Sequence, residues 1–162
     1  MSDLRITRRG AGILLAGGLA AGLVVLSGPV GAAPPTLTAA EAYQRLAQGD
    51  LVLLDIREPE EWAETGVAEG AWPVSMHAPD FNARLAEILT RVPPEQVALI
   101  CARGGRSNAM ARALEEQGVA GMIDVPEGML GRIGRPGWIA QGLPVVEAAT
   151  AMQRYEAAMG AP

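Results

Sequence analysis

The sequence predicts one α/β domain with a central parallel sheet of about four to five strands flanked by helices. Short apolar runs, such as residues 51–56 and 97–100, alternate with segments that carry apolar residues at helical spacing. A mostly apolar run is typical of a parallel strand that is covered on both faces. The 162 residues, 49% of them hydrophobic, suffice for one modest core and not for two.

The predicted elements alternate between helix and strand. Thr38 and Glu41 form a capping box that begins a helix ending at Gly49. The strand at 51–56 follows, and Pro59 lies in the first turn of the next helix. The remaining predicted elements are a strand at 71–76, a helix at 81–90, a strand at 97–100, a helix at 107–117 that buries Met110, Ala113 and Leu114, a strand at 121–125 and a C-terminal helical segment at 148–159.

The first 32 residues differ in kind from the rest. Arginines at positions 5, 8 and 9 precede an uncharged apolar stretch at 11–26, and small residues follow at 30–32, where a signal peptidase cleaves. This pattern predicts an export signal peptide. The predicted organisation is therefore a signal at 1–32, the domain at 33–147 and a helical tail at 148–162, which packs on the domain or contacts a partner.

The N-terminal segment also sets the expected location. The pair Arg8-Arg9 is compatible with a twin-arginine export signal. The alternative is an uncleaved membrane anchor, although the 16 apolar residues fall short of the roughly 20 that span a bilayer. We expect an exported, periplasmic protein that stays membrane-anchored if the segment is not cleaved.

The charge balance excludes one class of partner. The formal net charge is −5, and loss of the segment with its three Arg and one Asp would make it −7. The basic residues are scattered and form no stripe, so we expect no nucleic-acid binding.

The chain has a single cysteine, Cys101, at the carboxyl end of the strand at 97–100. That end of a parallel sheet is where ligands bind. Glycines that let backbone N–H groups point inward, the start of a helix and two arginines all favour a thiolate. In an oxidising compartment cysteines usually pair in disulfides, so a cysteine with no intrachain partner is expected to have a chemical role. The alternative is a small buried hydrophobe. The predicted loop comprises Cys101, Ala102, Arg103, Gly104, Gly105, Arg106 and Ser107.

The chain resembles the rhodanese (sulfurtransferase) family over nearly all of residues 33–147. Residues 53–62 (LLDIREPEEW) look like the family's strand-and-turn signature, and 66–71 (GVAEGA) like its next segment. Gly128-Met129 and residues 137–145 (GWIAQGLPV) are similar to its closing helix and tail. Two features depart from the family pattern: Val67 stands where His is usual, and residues 131–136 look like an insertion.

The resemblance implies a sulfurtransferase. Cys101 would be the catalytic thiolate that takes a sulfane sulfur from thiosulfate or a related small anion and passes it, as a persulfide, to a thiol or a cyanide-like acceptor. The acceptor could also be a protein. The amides of residues 102–106 would cradle the sulfur, and Arg103 and Arg106 would orient the anionic donor. The alternative for the two arginines is solvated surface charge.

Other polar residues have structural interpretations. His77 is expected to be a surface or hydrogen-bonded histidine, so no histidine dyad activates Cys101. Asp55 is expected to cap a turn and Arg57 to form a structural ion pair; we leave both, with Glu61, out of the catalytic set. No spacing of His, Cys and carboxylates suggests a metal, and no cofactor is expected. Trp62, Trp72 and Trp138 are expected in the core or at its rim.

Two further functions remain open from the sequence. A rhodanese-like sulfur carrier or binding module with little turnover would have the same residues. A cysteine-dependent phosphatase would resemble the scaffold but needs Arg six positions after Cys, whereas here Arg106 is the fifth residue and Ser107 the sixth. The loop is therefore one residue short for phosphate.

Overall fold

The computed structural model describes residues 33–160. The predicted signal peptide at 1–32 lies outside these residues. Within the described part, no helix is both long and apolar enough to cross a membrane.

Five α-helices and eight short strands make up the described chain. The helices are α1 (Ala39–Gln48), α2 (Pro59–Thr65), α3 (Phe81–Leu89), α4 (Gly105–Glu116) and α5 (Ala148–Gly160). The strands are β1 (Val52–Asp55), β2 (Val67–Ala68), β3 (Trp72–Pro73), β4 (Val97–Ile100), β5 (Ile123–Asp124), β6 (Gly131–Arg132), β7 (Arg135–Pro136) and β8 (Val145–Val146).

Four strands form the predicted parallel sheet, in the order β3-β1-β4-β5. Strands β1 and β4 lie at its centre and pair from Val52 opposite Val97 to Asp55 opposite Ile100. The prediction of an α/β fold on a parallel sheet is confirmed. Because all four strands run in one direction, their carboxyl ends meet at one edge, and Cys101 comes directly after β4.

The sheet is buried on both faces, as its apolar strands predict. Leu53 and Ile100 pack into one core cluster together with α1 and Trp138. Leu54 and Leu99 point to the opposite face, where they join a second cluster with α3 and α4. Alternate residues of β1 and β4 thus serve two cores, which holds the central strands rigidly and fixes the position at which Cys101 leaves the sheet.

Helix α1 begins and ends as predicted. Thr38 and Glu41 form the capping box, and Gly49 ends the helix with φ of 77°. The C-terminal helix is also confirmed, and the structure resolves its packing: α5 lies on the domain, burying Ala151 and Tyr155. The Tyr155 ring lies 5.6 Å from that of Trp72 in β3.

Several boundaries differ from the prediction. The expected strands at 71–76 and 121–125 are reduced to two residues each, β3 and β5. After β3 the chain continues beside β1, held by isolated backbone hydrogen bonds such as that from the Val74 N–H to the Asp55 carbonyl, without regular strand pairing. Helix α4 starts at Gly105 instead of residue 107. Its buried side chains are Ser107, Ala111 and Leu114, so Met110 and Ala113 are only partly buried.

The segment after β5 departs most from expectation. Residues 137–145 do not form the expected helix; they make successive turns that lead into β8, which pairs with β2. Trp138 is nevertheless fully buried, and its indole N–H bonds the Pro144 carbonyl. Residues 131–136, the expected insertion, form the β6–β7 hairpin.

Candidate active site

The loop after β4 is held in shape by close backbone contacts. Gly104 has φ of 78°, and a Cβ there would lie 2.0 Å from the Pro126 carbonyl oxygen. Gly128, with φ of 67°, approaches the loop from the other side, and its Cβ would lie 2.6 Å from the Ala102 carbonyl oxygen. No other residue type fits either position without moving the backbone. The loop is therefore a rigid cradle between β4 and α4.

Cys101 lies at the bottom of this cradle. It is only 1% exposed, and its carbonyl accepts a hydrogen bond from the Met129 N–H at 2.8 Å. The Ser107 hydroxyl, buried in the first turns of α4, donates to Cys101 Sγ at 3.5 Å. Gly104 precedes α4 and supplies no side-chain cap, so no capping side chain occupies the first N–H groups of the helix. A negative charge on Sγ would thus face a hydroxyl and a helix N-terminus.

Arg106 at the end of the loop is held by Glu61 of α2. Its two terminal nitrogens donate to the two carboxylate oxygens at 2.8 and 2.6 Å. These hydrogen bonds lower the pKa of Glu61 and raise that of Arg106. A negative charge on Cys101 would add to the rise in the Arg106 pKa, because the guanidinium lies within electrostatic reach of the sulfur. Glu61 therefore anchors the loop, while the donor-orienting role of Arg106 stays a prediction.

Replacing Glu61 by glutamine tests this anchor. Because the pKa of Glu61 is lower in the folded state, the ion pair contributes fully to stability above the ordinary carboxyl pKa of about 4.3, and this contribution is lost as the pH falls from there through the lower folded-state pKa. We expect Glu61→Gln to lower the free energy of unfolding by about 1 kcal/mol at pH 7 and by less at pH 3. Urea midpoints across this range measure the difference; an equal loss at both pH values would contradict the assignment.

The other predicted loop residues lie as follows. Arg103 is exposed, and among residues 33–160 its side chain has neither a salt bridge nor a hydrogen bond. Ala102 is half-buried, Gly104 is buried and Gly105 is exposed. Of the two arginines in the loop, Arg103 is thus the one whose charge is not already matched by a carboxylate in the described part of the chain.

A buried acid lies behind the loop, at the end of β5. Asp124 is fully buried; one carboxylate oxygen accepts from the Asn108 amide at 3.2 Å and the other has no partner among the described residues. Burial raises the pKa of Asp124, and the nearby polar side chains of Ser107 and Asn108 partly oppose the rise. Ser107 therefore stands between Cys101 and Asp124.

Arg57 forms the expected structural ion pair with Asp55. Both side chains are fully buried, with Nη2 2.7 Å from the carboxylate. Arg57 also bonds Thr65 Oγ1 at 2.8 Å and the Gly66 carbonyl at 2.7 Å, while Asp55 accepts from the Arg57 N–H and so closes the turn. This network fastens α2, and with it Glu61, to the end of β1.

His77 lies at the rim, where its ring contacts Glu58 Oε1. The other oxygen of Glu58 accepts from the Ser75 hydroxyl at 2.9 Å. The His77 side chain is 62% exposed, which agrees with a hydrogen-bonded surface histidine.

Sequence reasoning missed the roles of Glu61, Asn108 and Asp124 around the loop. Glu61 is separated from Arg106 by 45 positions, and nothing local indicates that the two meet. Asp124 was detectable in principle, because a carboxylate at the end of an apolar strand beside the cysteine strand must face the same edge of the sheet.

Comparison with known proteins agrees with this geometry. Residues 38–131 match the family model for the rhodanese-like domain. The match stops at the β6–β7 hairpin, so it does not extend to the expected similarity at 137–145. No curated protein matches the chain.

Solved structures share the fold. Rv0390 from M. tuberculosis is 26% identical with a TM-score of 0.51, and the match covers 72% of this chain and 100% of that one. The polysulfide-sulfur transferase homodimer from Wolinella succinogenes is 22% identical with a TM-score of 0.52, over 72% of this chain and 80% of that one. At this identity the second similarity is evidence of the fold alone.

Proposed function

The chain belongs to the rhodanese-like domain family, and from that premise we propose that it is a sulfurtransferase that carries sulfane sulfur as a persulfide on Cys101. The observation that carries the proposal is the closed Cys101 loop. It places one buried sulfur beside the Ser107 hydroxyl and an uncapped helix N-terminus. Such preorganised donors stabilise negative charge that develops on a sulfur during transfer.

The first step loads the enzyme. The Cys101 thiolate attacks the outer sulfur of thiosulfate, a new S–S bond forms at Sγ, and the bond inside thiosulfate breaks. Its electron pair leaves with sulfite. The charge on the thiolate passes to the terminal sulfur of the persulfide, so the same hydroxyl and amides serve both states. Arg103, exposed and without a partner among the described residues, would attract the dianionic donor.

The second step unloads it. A cyanide ion or a thiolate attacks the terminal sulfur, the Cys101–sulfur bond breaks, and its electron pair restores the Cys101 thiolate. Thiocyanate or an acceptor persulfide is the product. Neither step needs an external oxidant or reductant, which is compatible with a chain that has one cysteine.

Intact mass spectrometry tests the proposal. We expect the purified protein to gain one sulfur atom after thiosulfate treatment and to lose it on addition of cyanide or dithiothreitol, while Cys101→Ala gains none. An unmodified wild-type protein would refute the proposed function. Hydrolysis of an aryl phosphate would favour a phosphatase. It would contradict the argument that the loop is too short for phosphate because Arg106 is the fifth residue after the cysteine.

The predicted location is a separate proposal. We propose that residues 1–32 direct export to the periplasm. The support is the arginines at positions 5, 8 and 9, followed by the apolar stretch at 11–26. Mass measurement of the protein from fractionated cells is expected to show a periplasmic chain without residues 1–32. A full-length chain in the membrane fraction would indicate an anchor instead.

A further inference from the structure

The β6–β7 hairpin (residues 131–136) rises directly from the candidate active site. The Leu130 N–H just before it donates to the Ala102 carbonyl at 2.8 Å, one residue after the Met129 bond to Cys101. The match to the family model stops where the hairpin begins. The hairpin is therefore attached to the cysteine loop and lies almost entirely beyond the part of the chain that the family model matches.

The hairpin exposes apolar side chains. Ile133 at its tip is fully exposed. Leu130 at its base and Ile139 beyond it are also exposed, and the Ile139 N–H bonds the Met129 carbonyl, which keeps the two segments together. These three are among only four large apolar side chains exposed in residues 33–160. Such a concentration next to one loop is typical of a surface that contacts another macromolecule.

The same hairpin places two like charges side by side. Arg132 and Arg135 are directly opposite each other in the antiparallel pair, so their side chains leave the same face of the ribbon. Both are exposed, and in the described part of the chain neither forms a salt bridge. The side chain of Arg132 makes one long hydrogen bond, to the Pro126 carbonyl at 3.4 Å.

Like charges in this position destabilise the hairpin unless an anionic partner covers them. The nearby acids do not serve as that partner. Asp124 is buried, although the positive charge of Arg132 opposes the rise in its pKa that burial causes. Glu127 is already engaged by the Ala39 N–H and by the Gln141 side chain.

We propose that the hairpin face, formed by Leu130, Arg132, Ile133, Arg135 and Ile139, docks a sulfur-accepting protein whose reactive cysteine is surrounded by acidic and apolar side chains. This inference rests on the proposed sulfur transfer and names the class of its acceptor. A small anionic donor needs no exposed isoleucine, and a second copy of this chain would bring its own arginine pair against the first. Complementary charge would position the acceptor thiolate to take the terminal sulfur from Cys101, which restores the Cys101 thiolate.

Two cysteine peptides of equal length test the docking. In one the cysteine is flanked by Asp, Glu and Leu; in the other Lys replaces each acid. We expect the loaded protein to transfer sulfur to the acidic peptide with the higher kcat/KM, and the double variant Arg132→Glu/Arg135→Glu to lower that value at least about tenfold. Transfer to cyanide should stay within about twofold, because the hairpin does not contact Cys101 through its side chains.

The control variant is Arg112→Glu/Arg154→Glu, which makes the same change in net charge on exposed helical arginines away from the hairpin. It should leave the peptide preference intact. Equal loss in both double variants, or no preference for the acidic peptide, would overturn the docking proposal while cyanide transfer still upheld the proposed function.

A second readout does not depend on sulfur transfer. Fluorescence anisotropy with peptides in which Ser replaces Cys measures binding to the unloaded protein. We expect Ile133→Ser and the hairpin double variant to weaken binding of the acidic peptide. If the wild-type protein instead binds vesicles of anionic phospholipid and neither peptide, the face is a membrane surface and the proposal is wrong.

Discussion

Cys101→Ser is expected to lower kcat/KM for sulfur transfer from thiosulfate to cyanide by at least about a thousandfold. A serine hydroxyl cannot attack the outer sulfur at neutral pH, because it carries no appreciable anionic fraction and forms no persulfide. Nearly every other feature of the loop persists in this variant. Steady-state formation of thiocyanate measures the loss.

The folded structure supplies the control for this prediction. Serine is close in size to cysteine, and Ser107 can still donate to the new oxygen, so the denaturation midpoint should change little. Residual turnover near the wild-type rate in a folded Cys101→Ser protein would remove Cys101 from the mechanism. A wild-type protein that gains one sulfur but turns over slowly would be the carrier module that the sequence left open.

The central strands could be predicted because their signal is local. Residues 97–100 are apolar throughout and all four are buried in β4, as the run requires of a strand covered on both faces. The edge strands β3 and β5 are shorter than predicted because pairing, which the local pattern does not encode, ends after two residues. The expectation of a helix at 137–145 was wrong for a related reason: Trp138 is buried against distant parts of the chain, including Leu53 and the Tyr43 ring 5.8 Å away, and a local pattern does not show these contacts.

The site likewise combines features that the local sequence predicts with contacts between distant residues that it does not. Its cysteine, glycines and arginines are contiguous, so the loop is visible in the sequence. Gly104 lies so close to the Pro126 backbone that a side chain would not fit, as expected of a tightly curved loop. The residues that hold the loop come from other elements. Glu61 reaches Arg106 from α2, a contact that no spacing along the chain predicts. Asp124 lies behind Ser107 from β5, and only its place at the carboxyl end of a strand indicates that it faces this edge of the sheet.

The interpretation of Asp55 and Arg57 as structural has a consequence for the site. Arg57 bonds the Glu61 carbonyl at 3.3 Å as well as Thr65 and Gly66, so it holds the C-terminal half of α2. Glu61 in turn holds Arg106. The position of Arg106 therefore depends on a buried ion pair at the end of the neighbouring strand.

Arg57→Met is expected to lower the free energy of unfolding by about 3–5 kcal/mol. Methionine retains the apolar stem but leaves the Asp55 carboxylate buried without its cation, and the Gly66 carbonyl loses its donor. Urea denaturation at pH 7 measures the change. The matched control is Arg154→Met, whose half-exposed partner Glu69 lies 3.9 Å away; there we expect a loss of about 0–1 kcal/mol.

A second variant separates the charge from the packing. In Asp55→Asn/Arg57→Met no charge remains at the site, so this double variant should be more stable than Arg57→Met alone. If the two are equally unstable, the loss comes from the hydrogen bonds that fasten α2 and not from an unpaired carboxylate. If Arg57→Met is as stable as Arg154→Met, the buried pair does not support the fold, and the loop must be held by the Glu61 contact without it.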